Sequence, residues 1–213
     1  MQKPCNWLRF TVISTIATAI IFVCIFFLDA WVAQNVKSFL HASPRLEISF
    51  VAIPNLLPLV VGAGTAGLGV AYLVQFRRSD SSHTIFLKLA MIVVPVAYVV
   101  KMFLQYVFGR TSTRLWMSKG DEMVFSCFTP LSNYPCFPSG HMTVFTAFFT
   151  AVWMFYPQYR LVTIVFLTIL GIALVVTNYH YLGDVLAGFF CGVLITAITS
   201  HFIVKVVTGK TIC

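Results

Sequence analysis

Charge is what this sequence has least of. Only 6 of its 213 residues are acidic, and charged side chains make up 9% of the chain. A water-soluble domain carries roughly a quarter. A surface of this size therefore has too little charge to face water on all sides, which excludes an ordinary soluble enzyme or solvated binding module. Low-complexity tracts and visible internal repeats are also missing, which excludes a disordered tail and a solenoid. The six cysteines show no zinc spacing. The net charge of +8 is scattered through the chain instead of gathered into a stripe, so no nucleic-acid partner is expected.

What is present is apolar: 59% of the residues are hydrophobic. A helix needs about 20 apolar residues to cross a hydrocarbon core roughly 30 Å thick. Six stretches approach that requirement, at Phe10 to Val32, Ile48 to Phe76, Ile85 to Phe108, His141 to Phe155, Leu161 to Thr177 and Asp184 to Val207. The expected fold is all-α, one polytopic domain over residues 1–213 with six transmembrane helices in a single bundle. Pro54 and Pro58 make the opening of the second stretch a possible interfacial segment. Lys3 and Arg9 resemble the start of a secretory signal, but the following run is too long for a signal core, so it reads as a retained span. The long polar connection from Gly109 to Pro138 predicts an interfacial loop or short helices between the third and fourth spans, with Trp116 near the membrane surface. Cys127 and Cys136 share that connection and can pair if it faces an oxidising compartment. Basic residues at the span ends place both termini in the cytoplasm, by a thin margin.

Parity then makes a functional statement. If the span count holds, the end of the third span near Lys101 to Phe108 lies on the same membrane face as the starts of the fourth and sixth, at Ser139-Gly140-His141 and Asp184. Ionisable groups beside a bilayer are functional by default. His180 and Asp184 are four apart, one helical turn, so the carboxylate can reach back to one ring nitrogen and leave the other free to attack. On spacing alone, a helix-end histidine with a solvated aspartate is the simpler reading. In Pro138-Ser139-Gly140-His141, Ser139 suits an N-cap, and Gly140 lets an anion approach the helix N-terminus. His141 would sit beside that anion as a general acid; alone, the segment reads more simply as an ordinary capped helix start. Lys101 and Arg110 are candidate phosphate-binding cations, though a lysine at a span end also snorkels to the interface. Their charge argues against a metal held by His141, His180 and Asp184. The G-x-G-x-x-G match from Gly62 to Gly67 follows no strand and reads as helix-packing contacts. His41, His83 and His201 lack acidic partners at helical spacing and read as loop or interface residues.

Together these segments resemble the type-2 phosphatidic acid phosphatase superfamily of integral membrane enzymes. Its signature runs K-x6-R-P, then P-S-G-H, then S-R-x5-H-x3-D. Pro138 to His141 fits the second element fully, and His180 to Asp184 fits the second half of the third. The resemblance implies that His180 is the nucleophile, that Asp184 orients it, and that His141 is general acid and then base. It also implies that Ser139 and Gly140 hold phosphate oxygens, that no metal or cofactor is needed, and that the fold is a six-helix bundle. The departures are specific. Ala173-Leu174 stands where Ser-Arg belongs, and Gln105 stands where the first lysine belongs in the register of Phe108-Gly109-Arg110-Thr111. Lys101, one turn before Gln105, can reach the same spot, and Arg114 is a candidate substitute for the lost arginine.

The expected function is a membrane lipid phosphatase that hydrolyses a lipid phosphomonoester or pyrophosphate through a phosphohistidine. The expected location is the bacterial inner membrane with the site facing the periplasm. A lipid phosphotransferase of the same superfamily, or a catalytically weak lipid-binding or transport protein on the same scaffold, are the alternatives. The expected partners are a lipid phosphate substrate and the bilayer; the particular lipid and the oligomeric state stay open.

Overall fold

Apolar runs of this length fold as helices because lipid offers no partner to backbone N–H and C=O groups. The computed structural model describes residues 7–41, 56–76, 82–119, 123–128 and 136–208. Its helices are α1 (Trp7–Val23), α2 (Asp29–His41), α3 (Leu57–Phe76), α4 (Ser82–Phe108), α5 (Thr113–Lys119), α6 (Gly140–Phe155), α7 (Arg160–Val176) and α8 (Leu182–Thr208). One turn of π-helix, Cys24–Leu28, joins α1 to α2. Among the described residues the single strand-like feature is an isolated antiparallel bridge between Arg110 and Phe125. The opening of the second predicted stretch, with Pro54, lies outside the described residues, as do Lys3, Arg45, Arg77, Arg78, Asp121, Glu122 and Lys210.

Five of the six predicted stretches form helices long and apolar enough to cross a membrane. The fourth forms α6, apolar but only 16 residues long, which at about 1.5 Å per residue spans about 24 Å. Its shortness matches its place, because α6 is the centre of the bundle. It packs between α4 and α8, and Val93, Ala97, Leu89, Ala147 and Ala151 at these contacts are fully buried. Small residues set the approach of α8. A methyl group on Gly192 would sit 2.6 Å from the Thr143 carbonyl oxygen, and one on Gly188 would sit 2.7 Å from the Ser139 carbonyl oxygen. The Thr196 hydroxyl closes the contact by reaching the Ala147 carbonyl at 2.8 Å. The glycines of α3 do not behave as expected. Nothing lies within 4 Å of a methyl group placed on Gly62, Gly64 or Gly67. α3 meets the core through Leu57 and Val61 instead, and the close helix contact belongs to α8.

Candidate active site

The chain leaves α4 through Gly109, whose φ of 51° is open to glycine at little cost. That turn sends Arg110 inward, and the bridge to the next segment is held by Ser126 N–H on the Gly109 carbonyl at 3.1 Å. Arg110 is fully buried. Its Nη1 lies 2.6 Å from Asp184 Oδ1 and its Nη2 lies 2.8 Å from Asp29 Oδ2. Burial opposes the charged guanidinium, but the two carboxylates outweigh it and raise its pKa above the ordinary value. Its faces are covered by Tyr181 and Phe125, with ring centroids 4.2 and 5.1 Å away. Arg110, expected at the mouth of the site as a phosphate-binding cation, lies beneath it, with both terminal nitrogens on carboxylates inside the bundle.

Asp184 is buried at the first turn of α8. Its Oδ2 accepts the Tyr181 N–H at 3.0 Å, capping the helix, and lies 3.6 Å from His180 Nδ1. His180 itself precedes α8, so the pair does not share a helix as its spacing suggested. The turn before the helix brings the two together by folding back. Cys136 Sγ is nearer to the ring, 3.0 Å from His180 Nδ1. Burial, and then the charge of Asp184, push the Cys136 thiol well above its usual range, so it stays protonated. Cys127 and Cys136 are both free thiols; the second is committed to His180, and the pairing considered for them is not formed.

The Pro138–His141 turn closes the other side. Ser139 caps α6, its side chain accepting from Met142 N–H at 3.4 Å, and its own N–H donates to the Asp184 carbonyl at 3.0 Å. The helix start is thereby tied to α8. The Ser139 N–H is engaged and its hydroxyl oxygen accepts, so the backbone donors left at this terminus are the next N–H groups, which have no intrahelical acceptor. Lys101 lies across them. It packs so closely on Gly140 that a methyl group there would sit 3.2 Å from Nζ. Nζ also donates to Gln105 Oε1 at 3.0 Å, while Gln105 Nε2 donates to the Pro138 carbonyl at 3.1 Å. Gln105, in the place of the expected lysine, thus moors Lys101 to the turn.

Tyr179 joins the two histidines. Its ring lies 5.7 Å from that of His141 and 4.9 Å from that of His180. Arg114, from α5, stacks its guanidinium 4.8 Å above the same ring. Leu174, in the place of the expected arginine, is buried among Met142, Leu167 and Val185. The structure thus gathers His180, Asp184, His141, Lys101, Ser139 and Gly140 at one end of the bundle and sets Arg110 behind them. His83 is separate, 2.8 Å from the Tyr156 hydroxyl.

Asp29 and Cys136 are contacts that the motif reading passes over. A lone carboxylate in the apolar run Cys24 to Val32 was the signal for the first; for the second there was none. Cys136, His180 and Asp184 bring three donor atoms within 4.8 Å of one another. A cation held there would compete with Arg110, whose Nη1 already lies 2.6 Å from Asp184 Oδ1.

The family model described as the PAP2 superfamily matches residues 66–207. The chain belongs to the PAP2 superfamily. A 76-residue segment is 37% identical to a lipid A 1-phosphatase of Rhizobium johnstonii, covering 36% of this chain and 31% of that protein. A 75-residue segment is 41% identical to a lipid A 1-phosphatase of Rhizobium etli, covering 34% and 32%. The chain thus spans about a third of the length of the curated relatives it matches. A crystal structure described as the first transmembrane PAP2 type phosphatidylglycerolphosphate phosphatase from Bacillus subtilis is similar over 93% of this chain and 90% of its own, with 19% identity and a TM-score of 0.35. This PAP2 member is an integral membrane protein, and the matched region contains every expected site residue but not Asp29.

Proposed function

We propose that this PAP2 protein hydrolyses a lipid phosphate by a metal-independent, two-step transfer through His180. The observation that carries the reading is the meeting of His180 and His141 on one Tyr179 ring, beside a helix N-terminus overlaid by Lys101. With the protonated Cys136 thiol donating to the Tyr179 carbonyl at 3.7 Å, its sulfur accepts Nδ1–H at 3.0 Å, and the Nε2 lone pair of His180 is free. That lone pair attacks phosphorus, the P–O bond to the lipid breaks, and the leaving oxygen takes a proton from His141. His141 then removes a proton from water, the water oxygen attacks phosphorus, and the P–N bond breaks to return the electron pair to His180. Lys101, with the N–H groups at Gly140 and His141, meets the charge on the transferring group, where electrostatic stabilisation supplies most of the catalysis.

The substrate class is a lipid phosphomonoester or pyrophosphate, with a lipid A phosphate the first candidate on the strength of the relatives. The site faces away from the cytoplasm, in the bacterial inner membrane. The test is phosphate release in detergent from a panel of lipid A phosphate, phosphatidylglycerol phosphate, phosphatidic acid and undecaprenyl pyrophosphate, with and without a chelator. Release that survives chelation is expected. A strict requirement for a divalent metal would overturn the mechanism, and transfer of label to a lipid or sugar acceptor in preference to water would make the protein a phosphotransferase.

A further inference from the structure

Asp29 lies in the first helical segment, outside the region matched by the family model, yet it is fully buried against the candidate site. It follows directly on the π-turn Cys24–Leu28. Such insertions recur at functional sites because the extra residue re-aims the side chains that follow. Its Oδ1 accepts the Gly183 N–H at 2.8 Å, and its Oδ2 holds Arg110 at 2.8 Å by charge, off the direction of a good hydrogen bond. The approach needs a glycine, since a methyl group on Gly183 would sit 2.8 Å from Asp29 Oδ2. Asp29, Arg110 and Asp184 are all fully buried. Two carboxylates on one guanidinium leave one negative charge unbalanced, and an unbalanced buried charge is costly. The group placed to balance it is the ring of His180.

We propose that Asp29 is a positioning residue for His180. Acting through Arg110, it holds the Asp184 carboxylate against the histidine and supplies the unpaired negative charge that favours the imidazolium and the phosphorylated ring. The inference rests on the phosphohistidine reading above. The groups facing His180 are Asp184 from α8, Cys136 before α6, His141 from α6 and the flanking Tyr179 and Tyr181. Arg114 lies over Tyr179, Lys101 lies beyond His141, and Arg110 and Asp29 lie behind Asp184. Of these, Asp29 is the carboxylate whose removal brings the buried set to neutrality while leaving the Asp184–Arg110 pair intact.

The test uses the full chain in detergent and a lipid phosphate that the wild type hydrolyses. His180→Ala is run first. Activity surviving in it overturns both readings, whereas an inactive His180→Ala beside a wild-type-like Asp29→Asn overturns the Asp29 inference alone. The expected result for Asp29→Asn is a fall in kcat of about tenfold with KM held within about twofold. The acid limb of the kcat/KM profile should move to lower pH by about one unit, because a site with one negative charge fewer holds a proton less readily. Asp29→Asn with Arg110→Gln restores the formal charge, and its acid limb should return to the wild-type position. A fall in kcat with the limb unmoved in both variants marks Asp29 as packing and overturns the proposal. Should Asp29→Asn fail to give monodisperse protein, Asp29→Ser, smaller and equally uncharged, takes its place: an acid limb lowered by about one unit supports the proposal, and an unmoved limb overturns it.

Discussion

At the scale of single residues, one expected cation is missing and another lies near the site. Leu174 fills the position where the family resemblance expects arginine, and it is packed in the core. Arg114 reaches the same neighbourhood from α5, stacked on the tyrosine that touches both histidines. Stacking pre-orders the planar guanidinium, so less freedom is lost when it grips a phosphate. By analogy with a lost oxyanion donor, Arg114→Ala should lower kcat/KM by about 10²–10³, with Arg114→Lys recovering part of it. Steady-state hydrolysis of the best panel lipid measures this, and a change under about threefold would remove Arg114 from the substrate's shell. The sequence made His141, His180, Asp184 and Lys101 legible because polar groups are conspicuous in apolar runs. It did not make Arg110's placement legible, because that placement depends on Asp29. Asp29's hydrogen-bond partner, Gly183, is 154 positions away, and no local pattern encodes that pairing.

At the scale of elements, close approach is decided by what faces a glycine and not by glycine itself. Gly62, Gly64 and Gly67 look like a packing seam and meet nothing, whereas Gly188 and Gly192 set the distance between α6 and α8. Gly192→Val should drive α8 off Thr143 and Ala147 and cost about 1–3 kcal/mol of stability, as overpacking commonly does. Because Ser139 N–H is bound to the Asp184 carbonyl across the same pair of helices, activity should fall with stability. Thermal melting in detergent checks this, with Gly62→Val as the comparison that should melt like the wild type. Equal shifts in the two variants would contradict the assignment of the seam. The extents of most helices were legible from hydropathy alone: the third stretch, for example, was expected at Ile85–Phe108 and forms Ser82–Phe108. The exception is α2, which continues to His41 through polar Gln34, Asn35 and Lys37. Tertiary contact supports that extension, since Lys37 donates to the Met117 carbonyl of α5 at 3.1 Å.

At the scale of the molecule, scarcity of charge selects lipid as solvent. The few ionisable groups of the site are then concentrated where the ends of α4, α6 and α8 meet and where α2 passes beneath them. The convergence was legible from helix parity. The charge grouping was not, because a sequence displays residues in a line and the two carboxylates meet Arg110 beneath His180 only when three segments fold together. The central claim is that this convergence lets His180 take the phosphoryl group. Its most direct test is rapid quenching of the detergent-solubilised protein with a lipid carrying labelled phosphate, followed by mass spectrometry of the labelled peptide. The account predicts an adduct on His180 that is stable to alkali and labile to acid, unaffected by chelator and absent from His180→Ala. Steady phosphate release from His180→Ala, or label found on any other residue, would contradict it.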